Sequence, residues 1–246
     1  DCFTKTQNTQ YPKDIFFVRL KHYDNNKIWA KKMAQLTSEL SNSISKHENF
    51  DIILNKAVLG IGKINGYPYG EERTSIGNFG ITKKFSRGQE YYQKYSKKLS
   101  NSKNKVFAPN SNEEYKNAHT CLIKLNTQQQ DKDIISVIYG WSPFSKRSNL
   151  NLASKAYDKL NFSKNPSIDD INSCCSTINW LIAQESPYKR GNDSIASVIS
   201  KAIYQAHKVK LSSLKENTSL DFEAFYRDLD DYIKNYPNFY ETKPSF

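Results

Sequence analysis

The sequence has few cysteines and lacks a long apolar run. Four cysteines among 246 residues are too few for the dense disulfide framework of a small secreted domain. Every apolar run falls well short of the roughly 20 residues that a membrane-spanning helix needs, so we expect no transmembrane segment. Hydrophobic residues still make up 37% of the chain, which is enough to bury a core. We therefore expect one globular domain over residues 1–246.

Positive charge is concentrated in the first part of the chain. Residues 1–110 contain 19 Lys and Arg against 9 Asp and Glu, whereas residues 111–246 contain 17 against 16. A basic surface attracts polyanions, so nucleic acid, an acidic membrane surface and an acidic protein are candidate partners. The shift in charge also indicates a subdivision into a basic α+β part, 1–110, and a helical part, 111–246.

The spacing of apolar residues predicts a mainly α fold with about seven helices. The clearest stripe recurs every three or four positions and consists of Trp29, Met33, Leu36, Leu40 and Ile44. A capping box at 111–114 predicts a helix that continues to Leu125. A second start signal at 218–221 predicts one final helix.

A minor β-hairpin or small-sheet component is expected mainly in the N-terminal half. Residues 15–20 and 134–139 are rich in β-branched and aromatic side chains, which is typical of strands. Residues 50–80 contain most of the nine glycines, so we interpret this region as turns or a hairpin. Its glycine spacing matches neither a P-loop nor a dinucleotide-binding fingerprint.

A polar break at 185–194 separates two apolar helical segments. Pro187 ends the first helix, and Gly191 lets the backbone turn through positive φ. Asn192 or Asp193 can cap the second helix, whose first N–H groups would attract a phosphate or carboxylate. The alternative is an ordinary turn with two solvated basic residues. The predicted ligand- and anion-binding residues are Lys189, Arg190, Gly191, Asn192, Asp193 and Ser194.

Residues 142–157 repeat the pattern of the break. They contain a Ser-Pro-aromatic sequence, the basic pair Lys146 and Arg147, a small polar cap and a helical segment. If both turns faced each other, they would form one basic pocket rich in hydrogen-bond donors. Chance recurrence of common turn residues is the alternative.

The segment 83–107 alternates lysines with aromatic residues. Basic groups pair with phosphates and aromatic rings stack on bases, so this segment could bind nucleic acid. Tyr91, Tyr92 and Tyr95 also have the spacing of a packed helix face, in which case the lysines are merely solvated.

Residues 178–208 resemble the Fic/Doc family, whose signature is His-Pro-Phe-x-Asp/Glu-Gly-Asn-Gly/Lys-Arg between two helices. Pro187, Tyr188, Gly191 and Asn192 occupy matching positions, while Ser186 replaces the general-base histidine. The acid that binds magnesium and the phosphate-binding arginine are replaced too. The resemblance implies a nucleotide pocket, with ATP as a candidate ligand, and a degenerate nucleotidyl or phosphoryl transferase.

Other catalytic arrangements are less complete. The four histidines occur singly, without the spacing of a zinc site. An ADP-ribosyltransferase would need a late Glu-x-Glu strand, which is absent. Cys174 or Cys175 could be a nucleophile beside His119 or His207, but a buried structural thiol is the simpler interpretation.

Degenerate relatives of the Fic/Doc family occur among secreted bacterial effectors, so the resemblance implies a bacterial effector or toxin-type protein that is secreted or delivered into a host cell. Its expected ligand is a nucleotide or another phosphate-bearing molecule bound at 186–194, and its expected target is a host protein. The alternative is a non-enzymatic protein that uses the basic face at 83–107 to bind nucleic acid, an acidic membrane or an acidic protein. If the protein is not exported, we expect it in the cytoplasm.

Overall fold

A computed structural model describes residues 27–81, 88–99, 113–118, 122–126, 134–139 and 145–246. These residues include eight α-helices: α1 (Lys27–Ser45), α2 (Phe50–Asn65), α3 (Gly88–Leu99), α4 (Ser145–Asn161), α5 (Ile168–Glu185), α6 (Asn192–Ala206), α7 (Leu220–Tyr226) and α8 (Leu229–Asn235). Short 3-10 turns occur at Glu113–Tyr115 and Tyr236–Phe239. The predicted mainly helical fold is confirmed. The strand predicted at 15–20 lies outside the described residues.

The helices pack around α5 and α6, which are almost entirely buried. Helix α1 packs on α6, and helices α4, α7 and α8 pack on α5. The predicted stripe of α1 is buried from Trp29 to Ile44. A capping box between Ser167 and Asp170 begins α5, because each residue satisfies an amide of the other.

One small sheet accompanies the helices. Strands β1 (Gly77–Ile81), β2 (Leu122–Asn126) and β3 (Ile134–Tyr139) form an antiparallel sheet in the order β1-β3-β2. The prediction of a strand at 134–139 is confirmed. The prediction of a helix from 111 to 125 is wrong, because Glu113–Tyr115 forms a 3-10 turn and Leu122–Asn126 is strand β2.

The glycine-rich region agrees with its prediction only in part: Gly66 and Gly70 adopt positive φ in turns, but the preceding residues do not form turns. Residues 50–65 form helix α2, which Asn49 caps by accepting from the amide of Ile52. Gly60 lies inside this helix, and a Cβ atom there would come within 2.4 Å of Leu36 Cδ1. Gly60 therefore permits a close approach of α1 and α2, and it does not mark a turn.

The final helical region is divided into two. Helix α7 ends before Arg227, and Asp228 begins α8 by accepting from the amide of Asp231. The prediction of one continuous helix is therefore wrong. Subdivision of the chain near residue 110 stays a prediction.

Candidate functional site

The turn between α5 and α6 has the break that the sequence predicted. Helix α5 ends at Glu185, and Ser186 adopts a left-handed conformation with φ 42°. Gly191 has φ 90° and directly precedes α6. The backbone therefore has positive φ at two residues, Ser186 and Gly191. Gly191 occupies a conformation that disfavours a Cβ atom.

Asn192 does not cap α6. Its Oδ1 accepts from the amide of Tyr188 at 3.0 Å, and its Nδ2 donates to the Tyr188 carbonyl oxygen at 2.8 Å. The N-cap residue of α6 is Gly191, which has no side chain that could accept a hydrogen bond. The prediction that Asn192 or Asp193 caps the helix is wrong, because α6 begins without a side-chain cap and the Asn192 side chain closes the preceding turn.

A distant segment holds the turn in place. Tyr69 forms a bridge with Arg190, and Glu72 forms a second bridge with Tyr188. The amide of Lys189 donates to the Glu71 carbonyl oxygen at 2.8 Å. The turn is thus bound along its length to residues 69–73, which follow α2 in the sequence.

Two cations are exposed at the outer end of this turn, and we call Lys189 and Arg190 together the cationic corner. Every residue from Leu181 to Tyr188 is buried, whereas Lys189 and Arg190 are exposed. The Lys189 ammonium lies 5.7 Å from the centroid of the Tyr67 ring, which is 79% exposed. The corner therefore displays two charges and one ring on a fixed backbone.

The remaining predicted site residues are less accessible. Gly191, Asn192, Asp193 and Ser194 are half-buried. Burial raises the pKa of Tyr188 to about 12, and the nearby carboxylates of Glu72 and Glu185 act in the same direction. Tyr188 is therefore neutral at physiological pH, and it supports the turn from inside.

Acidic side chains also lie near the cationic corner. Glu71 and Glu72 are exposed on the segment that pairs with the turn. Their negative charges oppose the attraction that Lys189 and Arg190 exert on an anion at long range. An anion bound here would depend on direct contact with the two cations.

The second predicted turn is only partly described. Lys146 and Arg147 lie in the first turn of α4, and their side chains are outside the described part of the structure. Helices α4 and α5 pack together and are joined by a short connection at 162–167, so they form an antiparallel hairpin. The start of α4 and the end of α5 therefore lie at the same end of the hairpin. A shared pocket stays a prediction.

The tyrosines of the 83–107 segment face the protein interior. Tyr91, Tyr92 and Tyr95 are buried in α3. The Tyr95 hydroxyl donates to the Phe222 carbonyl oxygen at 2.6 Å, and the Lys98 ammonium donates to the Tyr226 carbonyl oxygen. These rings cannot stack on bases, so that part of the nucleic-acid prediction is wrong. Residues 83–87 and 100–107 are outside the described ranges.

Glu223 connects α3 with α7 and α8. Its carboxylate is 3% exposed and accepts from the Tyr91 hydroxyl at 3.0 Å and from Lys94 at 3.2 Å. It also accepts from the Tyr226 hydroxyl at 2.5 Å and from Arg227 Nε at 2.9 Å. Burial alone would raise the pKa of Glu223, but these donors and cations outweigh burial and lower it. Glu223 is thus a charged structural centre.

The adjacent cysteines have no features of a nucleophile. Both thiols are free and buried in α5. Burial raises the pKa of Cys174 to about 12, and it also raises the pKa of Cys175 well above its ordinary value. A thiolate is therefore strongly disfavoured at both positions. The interpretation as buried structural thiols agrees with this geometry.

Neither metal binding nor membrane crossing has support within the described ranges. No cluster of three or more His, Cys, Asp or Glu side chains there could hold a metal ion. His207 Nδ1 lies 2.9 Å from the Ile203 carbonyl oxygen, and His47 Nδ1 lies 2.9 Å from Asn161 Oδ1. Among the helices in this part of the chain, none is both long and apolar enough to span a bilayer.

Comparison with known proteins gives one family match. Residues 157–243 match the AvrB_AvrC family model, described as "Avirulence protein". The matched region covers 87 of the 246 residues and includes the whole turn from Ser186 to Gly191. A comparison with curated proteins gave no match. Over this region, the chain is similar to avirulence proteins.

This match corrects the family expected from the sequence. The matching model is AvrB_AvrC and not Fic/Doc, so the resemblance at Pro187, Tyr188, Gly191 and Asn192 was misleading. A proline, an aromatic residue and a glycine are ordinary features of a turn between helices, and they identify no family without the catalytic histidine. The match supports the predicted effector class and gives no information about nucleotide binding or transfer.

Proposed function

We propose that this protein is an effector that a bacterium delivers into a host cell, where it acts on a host protein. We further propose that its cationic corner binds a phosphate or carboxylate group of a ligand. The similarity of residues 157–243 to avirulence proteins supports the first part. The second part depends on the position of Lys189 and Arg190 inside that matched region.

The observation that carries the ligand proposal is the abrupt change in exposure at the corner. Residues 174–188 are buried without interruption, and the next two residues are exposed cations. Their backbone is held by the pairing with 69–73, so little conformational entropy of the main chain is lost when a ligand binds. Arginine suits a phosphate particularly well, because its fork donates two parallel hydrogen bonds.

Tyr67 makes a nucleotide the most suitable probe. Its exposed ring lies beside the Lys189 ammonium, so one ligand could place a phosphate on the cations and an aromatic base on the ring. A compact, multiply charged group is also favoured, because Glu71 and Glu72 weaken attraction at a distance. Free ATP and ADP therefore represent the expected chemistry better than a single carboxylate does.

Calorimetry with ATP, ADP and pyrophosphate tests the ligand proposal. We expect binding to the unmutated protein and a loss of about tenfold or more for Arg190→Ala, since a hydrogen-bonded charge contributes roughly 1.5–3 kcal/mol. The matched control is the double variant Lys155→Ala/Lys159→Ala, which removes two exposed charges from α4. Absence of binding to the unmutated protein would refute the ligand proposal.

Delivery into the host cell is tested separately. A reporter enzyme active only inside host cells would be fused to the full chain in the producing bacterium. We expect reporter signal during infection and none from a bacterium that lacks its secretion apparatus. Equal signals from both bacteria would contradict the effector proposal, whatever the calorimetry shows.

A further inference from the structure

Arg73 and the Gly70 amide together donate hydrogen bonds to five consecutive carbonyl groups of the turn between α5 and α6. Arg73 Nε donates to the Ser186 carbonyl oxygen at 2.9 Å. Its Nη2 donates to the carbonyl oxygens of Tyr188 at 2.8 Å and Lys189 at 3.4 Å. The Arg73 amide donates to the Pro187 carbonyl oxygen at 2.8 Å, and the Gly70 amide donates to that of Arg190 at 3.1 Å.

This arrangement fixes where the negative ends of the peptide dipoles point. The carbonyl oxygens of 186–190 all accept from the 70–73 segment, so they face inward toward that segment. A carbonyl oxygen facing a bound anion would repel it, whereas one bound to Arg73 is turned away and its partial charge is compensated. The guanidinium also adds a positive charge at the backbone of the turn that carries Lys189 and Arg190.

We propose that Arg73 is a positioning residue that orients the cationic corner for an anion and removes competing carbonyl oxygens from its outer face. This inference rests on the proposed ligand function. Arg73 is half-buried beneath the corner and acts through the backbone of the turn, without being assigned a contact to the ligand. Lysine could replace its charge but not its planar fork.

The test uses the full chain with Arg73→Lys and Arg73→Gln. Calorimetry with pyrophosphate measures affinity, and hydrogen exchange measures the opening of the Lys189 amide, which donates to Glu71. We expect Arg73→Lys to weaken pyrophosphate binding about tenfold through loss of the fork and to speed exchange at Lys189. Arg73→Gln should, in addition, reduce the salt dependence of binding, because a positive charge is lost.

Arg227→Lys is the matched control. Arg227 forms a comparable fork to Glu223 and Asp231, but it lies at the junction of α7 and α8. We expect this variant to lower stability while leaving pyrophosphate affinity and Lys189 exchange unchanged. Near-ultraviolet circular dichroism verifies that each variant is folded. Arg73→Lys is the milder change, so its affinity can still be compared with that of the unmutated protein if Arg73→Gln does not fold.

The outcomes separate the inference from the proposed function. If folded Arg73→Lys binds pyrophosphate as tightly as the unmutated protein, the inference is overturned while the ligand function stands. If the unmutated protein does not bind, the ligand function fails and the anion role of Arg73 fails with it. If the Lys189 amide then exchanges faster in the Arg73 variants, Arg73 only supports the structure of the turn. If its exchange is unchanged, Arg73 does not have that role either.

Discussion

The Arg73 guanidinium donates to the carbonyl oxygen of Tyr188 at 2.8 Å, although 115 positions separate the two residues in the sequence. This contact joins the end of the α2 region to the turn between α5 and α6. The exposed cations Lys189 and Arg190 therefore sit on a backbone that is held by tertiary contacts. A short peptide containing the turn alone would lack this support.

The contact between α1 and α2 predicts that the effect of Gly60→Ala on stability depends on the side chain at position 36. Gly60→Ala should destabilise the protein by about 1–2 kcal/mol, because the added Cβ would lie 2.4 Å from Leu36 Cδ1. In a Leu36→Ala background, the same change should be neutral or stabilise by up to about 1 kcal/mol, since alanine favours a helix over glycine. Urea denaturation of the four proteins measures both effects. Equal effects in the two backgrounds would contradict the proposed close packing.

Removal of the Glu223 charge should weaken the contact between α3 and α7 and so destabilise the protein. We expect Glu223→Gln to lower the free energy of unfolding by about 3 kcal/mol at neutral pH, because it removes the buried carboxylate that pairs with both Lys94 and Arg227. The control is Glu90→Gln, which removes an exposed carboxylate 3.6 Å from the same Lys94. Its cost should stay within about 0.5 kcal/mol.

We also predict that the difference in stability between the wild type and Glu223→Gln depends on pH. The Glu223 pKa is lowered in the folded state from its ordinary value of 4.5, so the unfolded chain takes up a proton first as the pH falls. Its stabilising contribution is therefore complete above that ordinary value and is lost as the pH falls through the lowered pKa. Denaturation at a series of pH values should show the wild-type advantage over Glu223→Gln shrinking in acid. A constant difference down to strongly acidic pH would contradict this role.

The buried thiols give a fourth prediction. In a Cys2→Ser/Cys121→Ser background, the folded protein should not react with a thiol reagent within minutes, because burial disfavours both thiolates. After denaturation, two thiols per chain should be titrated. A fast reaction in the folded state would restore Cys174 or Cys175 as a candidate nucleophile.

The local features of the turn could be predicted from the sequence. Pro187 and Gly191 interrupt two apolar stripes, and this punctuation correctly placed the end of α5 and the start of α6. The exposed pair Lys189 and Arg190 could also be identified, because charged residues beside a break are usually solvated. These inferences needed only neighbouring residues.

Contacts between distant residues could not be predicted in this way. Arg73 lies 113 positions from Ser186, and no periodic pattern connects them. The side chain of Asn192 had two local uses, capping α6 or closing the turn at Tyr188, and propensity alone did not decide between them. Gly60 was misinterpreted for a related reason, since a glycine that admits Leu36 has the same sequence signal as a glycine in a turn.

The most direct test of the account locates the bound anion on the protein. Amide resonances of isotopically labelled full chain would be followed by nuclear magnetic resonance while pyrophosphate is added at low salt. The account predicts saturable shifts centred on Lys189 to Asn192, their loss in Lys189→Ala/Arg190→Ala, and their retention in Lys155→Ala/Lys159→Ala. Shifts centred elsewhere, or none at the corner, would contradict it.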